Sequence, residues 1–262
     1  MVLPYIHASR SCTNDPQQDS FVMHTHDNYE IFCFLGGNAE YVVEGNIYPL
    51  EVGDVILMRK SEAHHLLLHS AQTYERITIN FSFPMQTEED YYKKLLRCFD
   101  DRSLGQFNRY SATTFKDRNW LYYLNKICDC SDLEQKAVYL MVLLEELSES
   151  FEIAKSDYRA VLSGSAEVLQ YINRHLTEPL SLDRICKRFY ISKSQLNRNF
   201  KKANGSTVWE YITAKRLLLA KEMLKNGGKP TEVYQQCGFA DYVTFYRAYH
   251  RQFNTSPKHH SQ

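Results

Sequence analysis

The sequence predicts an α+β protein of more than one domain: an N-terminal antiparallel β-barrel followed by helices, then an all-α domain in the C-terminal third. Three observations predict this. The hydrophobic period changes from that of strands to that of helices near Thr87. One helical unit is written twice after residue 180. Charge also divides unevenly: residues 1–165 hold 15 Lys and Arg against 24 Asp and Glu, a charge of −9, whereas residues 166–262 hold 16 against 7, a charge of +9. The formal net charge of zero hides a basic C-terminal part suited to a polyanion. An apolar content of 44% over 262 residues suffices for packed cores.

Several classes are set aside by composition. No apolar run reaches membrane-spanning length, and the opening Met-Val-Leu-Pro-Tyr-Ile-His lacks the charged and apolar regions of a secretory signal. Seven cysteines form neither a CxxC pair nor a regular framework, so reduced thiols and a cytoplasmic location are expected.

From Phe21 to Phe83 short runs (Tyr29–Leu35, Glu40–Val43, Asp54–Met58, Tyr74–Phe83) are broken by Gly36-Gly37, Gly45-Asn46 and Gly53-Asp54. Short, evenly spaced strands with such turns indicate an antiparallel barrel or sandwich. Further on, Leu133, Ala137, Leu140, Leu144, Leu147 and Phe151 recur with alternating four- and three-residue steps. That pattern fits a seam between two copies of the chain or a helix lying on the barrel, and the sequence does not choose. The first domain is placed at 1–154. Weak periodicity and small polar residues put a linker at 155–165, and the second domain follows at 166–262. Its first helix begins at Ala166 and is stopped by Pro179.

The repeat runs from Leu180 to Lys202 and again from Thr231 to Arg251. At an offset of 49, Leu196, Arg198 and Phe200 fall on Phe245, Arg247 and Tyr249. In each copy apolar residues four apart share one helix face, and an arginine stands on another. A short helix, a tight turn and a second helix carrying that arginine is the layout of a helix-turn-helix reader of DNA. Ser181 and Ser192 are natural N-caps, and Asn204-Gly205 ends the first reading helix. Between the copies, Thr207 to Lys225 reads as one helix spanning about 28 Å at 1.5 Å per residue. Successive major-groove faces on one side of B-DNA lie roughly 34 Å apart, so such a rod could hold two readers in consecutive grooves. With Leu196 and Phe200 inward, the outward stripe of the first copy is Ser194, Gln195, Asn197 and Arg198, with Lys201 and Lys202 at the rim. In the second it is Tyr242, Val243, Tyr246 and Arg247, with Arg251 at the rim. Arginine pairs bidentately with guanine, and Asn or Gln with adenine.

Residues 166–257 resemble the DNA-binding domain of the AraC/XylS family of bacterial transcription regulators. The likeness rests on Gly205 with Ser206 and Tyr211, Arg216, Gly238-Phe239, the run from Asp241 through Phe245 and Arg247 to Phe253, and Ser256-Pro257. Two positions depart from it: Tyr234 stands where the family has a small alanine, and Tyr249-His250 replaces Phe-Lys. The resemblance implies two helix-turn-helix modules joined by a helix and bound to promoter DNA.

In the N-terminal half, His24-Thr-His26-Asp-Asn-Tyr-Glu30 and the stretch from Gly53 to His64 resemble the two motifs of the cupin barrel, with Arg59 and Ser61 replacing the usual proline and glycine. His24 and His26 are read on one strand face, and Glu30, Phe32 and Phe34 on a face of the next. The expected site is an effector pocket with His24, His26, Glu30 and His64 as polar groups and Phe32, Phe34 and Tyr41 as aromatic walls. No cofactor is expected; were a divalent metal bound, His24, His26, Glu30 and His64 would be its ligands. His7, His65 and His69 join no constellation.

The reading is a ligand-responsive transcription regulator and not an enzyme. Its expected partners are double-stranded promoter DNA, a small polar effector such as a sugar, RNA polymerase and a second copy of the chain, with no membrane. Two alternatives stand beside it: a metal-dependent cupin enzyme fused to a DNA-binding module, and a constitutive DNA binder with a structural barrel.

Overall fold

A computed structural model describes residues 3–84, 90–158, 160–162 and 165–260. The chain forms two compact units, one of Met1–Phe21 with Asn28–Val161, the other of Val22–Asp27 with Leu162–Gln262. The expected linker at 155–165 lies partly outside the described residues, at 159, 163 and 164. Within it, one helix runs through Ser156 and a short strand, Val161–Leu162, joins a sheet.

The first unit holds two antiparallel sheets. The strands are β1 (Tyr5–Thr13), β2 (Tyr29–Gly36), β3 (Ala39–Val43), β4 (Asn46–Pro49), β5 (Val55–Met58), β6 (His64–Leu68), β7 (Tyr74–Ser82), β8 (Arg109–Tyr110) and β9 (Val161–Leu162). Their order is β1-β7-β2-β5-β8 in one sheet and β6-β3-β4-β9 in the other. The helices are α1 (Asp90–Asp100), α2 (Trp120–Asp129), α3 (Leu133–Glu149) and α4 (Phe151–Ser156).

The first sheet is covered on both faces, which is why β2 reads as a nearly unbroken apolar run. Alternate residues Ile31, Cys33, Leu57, Ile77, Ile79 and Phe81 face a core shared with α1 to α4. Phe32, Phe34, Ile56 and Met58 face the second sheet, meeting Tyr41, Val43, Tyr48 and Leu66. Each such side chain contributes roughly 1.5–3 kcal/mol on burial. β1 is missing from the expectation because its sequence, Tyr-Ile-His-Ala-Ser-Arg-Ser-Cys-Thr, carries few large apolar residues. It is an edge strand paired along its length with β7.

The stepped series on α3 and the first residue of α4 is a barrel-packing face and not a seam between copies. Ala137, Leu140, Leu144, Leu147 and Phe151 are buried in the core beneath the first sheet, and only Leu133 at the helix start is exposed. A helix laid on a twisted sheet needs one continuous apolar stripe, the same pattern that a coiled coil needs. Asp132 caps α3 by accepting from the Gln135 amide at 2.9 Å.

In the second unit the helices are α5 (Ala166–Arg174), α6 (Leu182–Phe189), α7 (Lys193–Asn204), α8 (Val208–Lys225), α9 (Pro230–Gln236) and α10 (Tyr242–Phe253). Four of these six starts carry a side-chain cap. Ser181, Ser192 and Asp241 cap α6, α7 and α10, and Thr207 with Glu210 forms a capping box on α8. Gly205 at φ 72° closes α7 in the left-handed conformation. Among the described residues no helix is long and apolar enough to cross a membrane.

Leu144→Ala should therefore lower stability by about 2–5 kcal/mol, the usual cost of such a core cavity. Sedimentation of the folded variant should show an unchanged mass. A stable variant that loses a dimer would restore the seam.

Candidate functional site

In a sheet buried on both faces a carboxylate needs a partner, and Glu30 on β2 finds His64 at the start of β6. His64 Nε2 lies 3.6 Å from Glu30 Oε2, with both side chains buried. On the other side of the ring, Nδ1 is 2.8 Å from the Glu62 carbonyl. A carbonyl only accepts, so Nδ1 carries a proton and Nε2 faces the carboxylate. Burial alone would lower the His64 pKa, but hydrogen bonding and charge from Glu30 carry it above the ordinary value. The Tyr41 ring stacks beside His64 with centroids 6.0 Å apart, and Phe32 lies 4.5 Å from Tyr41. Phe34 sits in the same core against Tyr74. Glu30, Phe32, Phe34, Tyr41 and His64 are thus brought together between the two sheets.

His24 and His26 are carried by another segment. They lie on the short segment Val22–Asp27, which is an extended connector and not the strand expected, and which belongs to the second unit. Their rings are 6.1 Å apart, and His24 Nδ1 is 3.1 Å from the Val22 carbonyl. Asp27 ends this segment, with Oδ2 3.0 Å from Lys221 and 2.9 Å from Lys225 on α8. Burial would raise the Asp27 carboxyl, but the two lysines hold it well below the usual carboxylate range.

The sequence did not single out the group that positions His64. Glu62 and Arg102 form a fully buried two-pronged pair, Nη1–Oε1 2.6 Å and Nη2–Oε2 2.7 Å. The Gly105, Arg59 and Asn108 nitrogens also donate to Glu62, and Arg102 donates to the Cys98, Leu57 and Gln106 carbonyls. Gly105 must be glycine: at φ 71° an added Cβ would lie 2.6 Å from the Val43 carbonyl oxygen. Ser61, which replaces a glycine of the cupin motif, takes φ 65°, the left-handed conformation that glycine adopts without strain. The pair is separated by 40 residues, with no local pattern to announce it.

In the second unit the two copies fold as expected. Leu196 and Phe200 are buried on α7, and Phe245 and Tyr249 on α10. On the opposite faces, Ser194, Gln195, Arg198, Lys201 and Lys202 are exposed, with Asn197 half-buried. On α10, Val243, Tyr246, Arg247 and Arg251 are exposed, while Tyr242 is half-buried, its ring against Tyr234 and Phe245. Tyr234 is accommodated by this aromatic cluster, and Gln235 Nε2 donates to its hydroxyl at 2.9 Å.

Arg216 on α8 links the two copies. Its guanidinium donates to the Leu176 and Glu178 carbonyls, both at 2.8 Å, ahead of the first copy. It also lies against Gly238 and Phe239 in the turn of the second. A Cβ on Gly238 would approach Arg216 Nη2 to 2.8 Å. Glycine there is required by φ 85° and by the arginine together.

Comparison with known proteins agrees in both halves. Residues 10–86 match the AraC-like ligand binding domain, and residues 185–262 match a helix-turn-helix domain. The HTH-type transcriptional activator RhaS of Shigella boydii is 24% identical over 93% of this chain and 88% of its own length. The RhaS protein of Salmonella arizonae is 23% identical over 92% and 87%. Among solved structures, unsaturated fatty acid bound ToxT from Vibrio cholerae aligns with 100% of this chain and 95% of its own at 15% identity, TM-score 0.39. The DNA-binding domain of AdpA in complex with a target DNA aligns with 37% of this chain and 87% of its own at 28% identity, TM-score 0.35.

Glu62→Ala should cost about 3–5 kcal/mol, because it leaves the Arg102 guanidinium buried without its counter-charge. The Glu62 pKa is depressed despite burial, since Arg102 and the donated hydrogen bonds outweigh desolvation. The pair's contribution is therefore complete above the ordinary carboxylate pKa and is lost as pH falls through the lowered value. Thermal denaturation of wild type and variant across acid pH checks both statements. A variant as stable as wild type would remove Glu62 from the supporting framework.

Proposed function

The chain belongs to the AraC family of transcription regulators, and from that premise we propose where it holds its effector and how it reads DNA. It is a ligand-responsive regulator with a ligand-binding domain ahead of a DNA-binding one. The observation that supports the reading of DNA is the pair of exposed arginines, Arg198 and Arg247, at matching places on two capped helices. Each helix has its other face fixed by buried anchors, so the arginine is presented from a rigid base. In this proposal Ser194, Gln195, Asn197 and Arg198 read one stretch of promoter DNA. Val243, Tyr246 and Arg247 read the next, with Tyr242 beside them, and Lys201, Lys202 and Arg251 touch phosphate.

The effector is a small polar molecule, a sugar being the first class to try. Glu30 and His64 bind it, and Phe32, Phe34 and Tyr41 wall the site. A buried carboxylate and imidazole among aromatic rings suit a ligand bearing both hydrogen-bond donors and acceptors. The proposal requires no metal, because Glu30 and His64 partner one another. A second copy of the chain and RNA polymerase are its further partners. That the RhaS relatives are transcriptional activators supports a regulator over an enzyme.

Arg198→Ala and Arg247→Ala should each cost about 1–3 kcal/mol at the cognate base and relax specificity there. Affinities for a duplex enriched by the wild-type protein from a random pool, and for single-base variants of it, measure this. Equal losses on enriched and unselected DNA would reduce both arginines to phosphate contacts.

Effector binding changes DNA affinity only if the ligand distinguishes the DNA-competent arrangement, with typical couplings of about 5- to 150-fold. Glu30→Ala or His64→Ala should abolish that response while leaving ligand-free DNA binding intact. DNA titrations with and without a panel of monosaccharides test it. A response that survives both substitutions would displace the pocket.

A further inference from the structure

A helix-turn-helix must reverse the chain between its helices, and each copy here does so through a residue with positive φ. In the second copy that residue is Gly238, at φ 85°. In the first it is Tyr190, at φ 55° and ψ 41°. The left-handed region is disfavoured for any residue with a Cβ and most of all for a bulky one. Tyrosine at such a place ordinarily recovers the cost by packing its ring. Tyr190 does not, for it is 93% exposed. The backbone of the turn needs nothing from the side chain either, since the Tyr190 and Ile191 amides both donate to the Cys186 carbonyl. Glycine would make the same turn without strain, as it does in the second copy. Among the described residues no side-chain hydrogen bond or ring contact of Tyr190 is seen, and strain of this kind gathers at functional places.

We propose that Tyr190 is a positioning residue for DNA, its phenolic hydroxyl donating to a backbone phosphate beside the groove that α7 enters. The inference rests on reading α7 as the helix in the groove. Position supports it: Tyr190 stands two residues before Ser192, the N-cap of α7, and such helices present their N-terminal residues to the bases. The turn leading into that end passes over the strand backbone that borders the groove. Charge supports it too. Lys187 and Arg188, both exposed, precede Tyr190 on the last turn of α6. Asp183, the one carboxylate of α6, is 2.7 Å from Lys193 and so is already balanced. The surroundings therefore favour an anion, and a neutral phenol among cations supplies direction where the lysine supplies charge. The second copy, with Gly238 at its turn, has no counterpart, so this contact fixes the register of the first reader alone.

The test uses the full-length chain, a duplex enriched by the wild-type protein from a random pool, and an unselected duplex of equal length. Tyr190→Phe keeps the ring and removes the donor. It should weaken binding to both duplexes about 2- to 10-fold, the worth of one net hydrogen bond. The slope of log affinity against log salt should stay unchanged, because no charge is removed. Lys201→Ala, by contrast, should reduce that slope by about 1. Tyr190→Gly should weaken DNA binding at least as much while raising the melting temperature, because the turn loses its strain. Arg198→Ala is the control for the underlying reading. If Arg198→Ala weakens binding and Tyr190→Phe does not, the phosphate contact is wrong, and the exposed ring serves a protein partner instead. If Arg198→Ala also binds as wild type, α7 is not the reading helix, and both the reading and the inference fall. A changed salt slope for Tyr190→Phe would likewise overturn it, since the side chain would then be acting by shifting neighbouring cations.

Discussion

Covering one sheet on both faces governs the N-terminal unit. Helices α1 to α4 take one face of the β1-β7-β2-β5-β8 sheet and the second sheet takes the other, so Glu30 on β2 is buried away from water. Burying an unpaired ion costs several kcal/mol, and each charge that the sequence puts there must be answered by a specific opposite group. Glu30 is answered by His64 and Glu62 by Arg102, and the two pairs are joined, because the Glu62 carbonyl fixes the His64 ring. The polar site is consequently held by a second, fully satisfied polar cluster, which limits how far its atoms can relax. In the proposed effector reading, such a site is pre-organised for a ligand that can take over the hydrogen bonds of Glu30 and His64, and it disfavours ligands that cannot.

A corresponding constraint in the C-terminal unit is the rigidity of α8. The two reading helices are short, and each is anchored by two large side chains, so their mutual placement depends on what lies between them. Arg216 sits within α8 and engages carbonyls ahead of the first copy and the turn of the second. One buried side chain thus fixes the ends of both modules to the rod that spaces them. Lys221 and Lys225, toward the other end of the same helix, are engaged by Asp27 from the segment that carries His24 and His26. Both attachments act on α8 and neither acts on the reading faces, which leaves those faces free while their spacing is set.

Periodicity made most of this legible. The strands β2, β3, β5 and β7 and the second-unit helices follow from apolar spacing and capping residues, and Glu30, Phe32 and Phe34 share the face that the sequence assigns them. What periodicity could not settle was the partner of a face. The stripe on α3 is the same whether it meets a sheet or a second helix, and only the bulk of the first sheet beside it decides. Long-range pairs such as Glu62 with Arg102 leave no local mark, since the residues are distant in sequence and neither lies in a repeating pattern. The segment of His24 and His26 was read as a strand because alternation over so few residues carries little information. β1 was passed over because an edge strand needs little apolar content.

Under the proposed reading of DNA, the two helices differ in what each recognises. The first presents amide and guanidinium groups, whose hydrogen bonds have direction and tell one base edge from another. The second presents Val243 and Tyr246 beside Arg247, backed by a cluster of Tyr234, Phe239, Tyr242 and Phe245. Apolar contact is satisfied by a thymine methyl and carries less directional information, so discrimination there falls mainly on Arg247. An exposed valine and tyrosine gain little in water, and their burial against DNA returns free energy in proportion to the area covered. The second reader should therefore supply affinity that varies less with sequence, while the first supplies choice. A rod that fixes their spacing lets the weaker chooser place the stronger one, because once one module is seated the other searches only the adjacent groove.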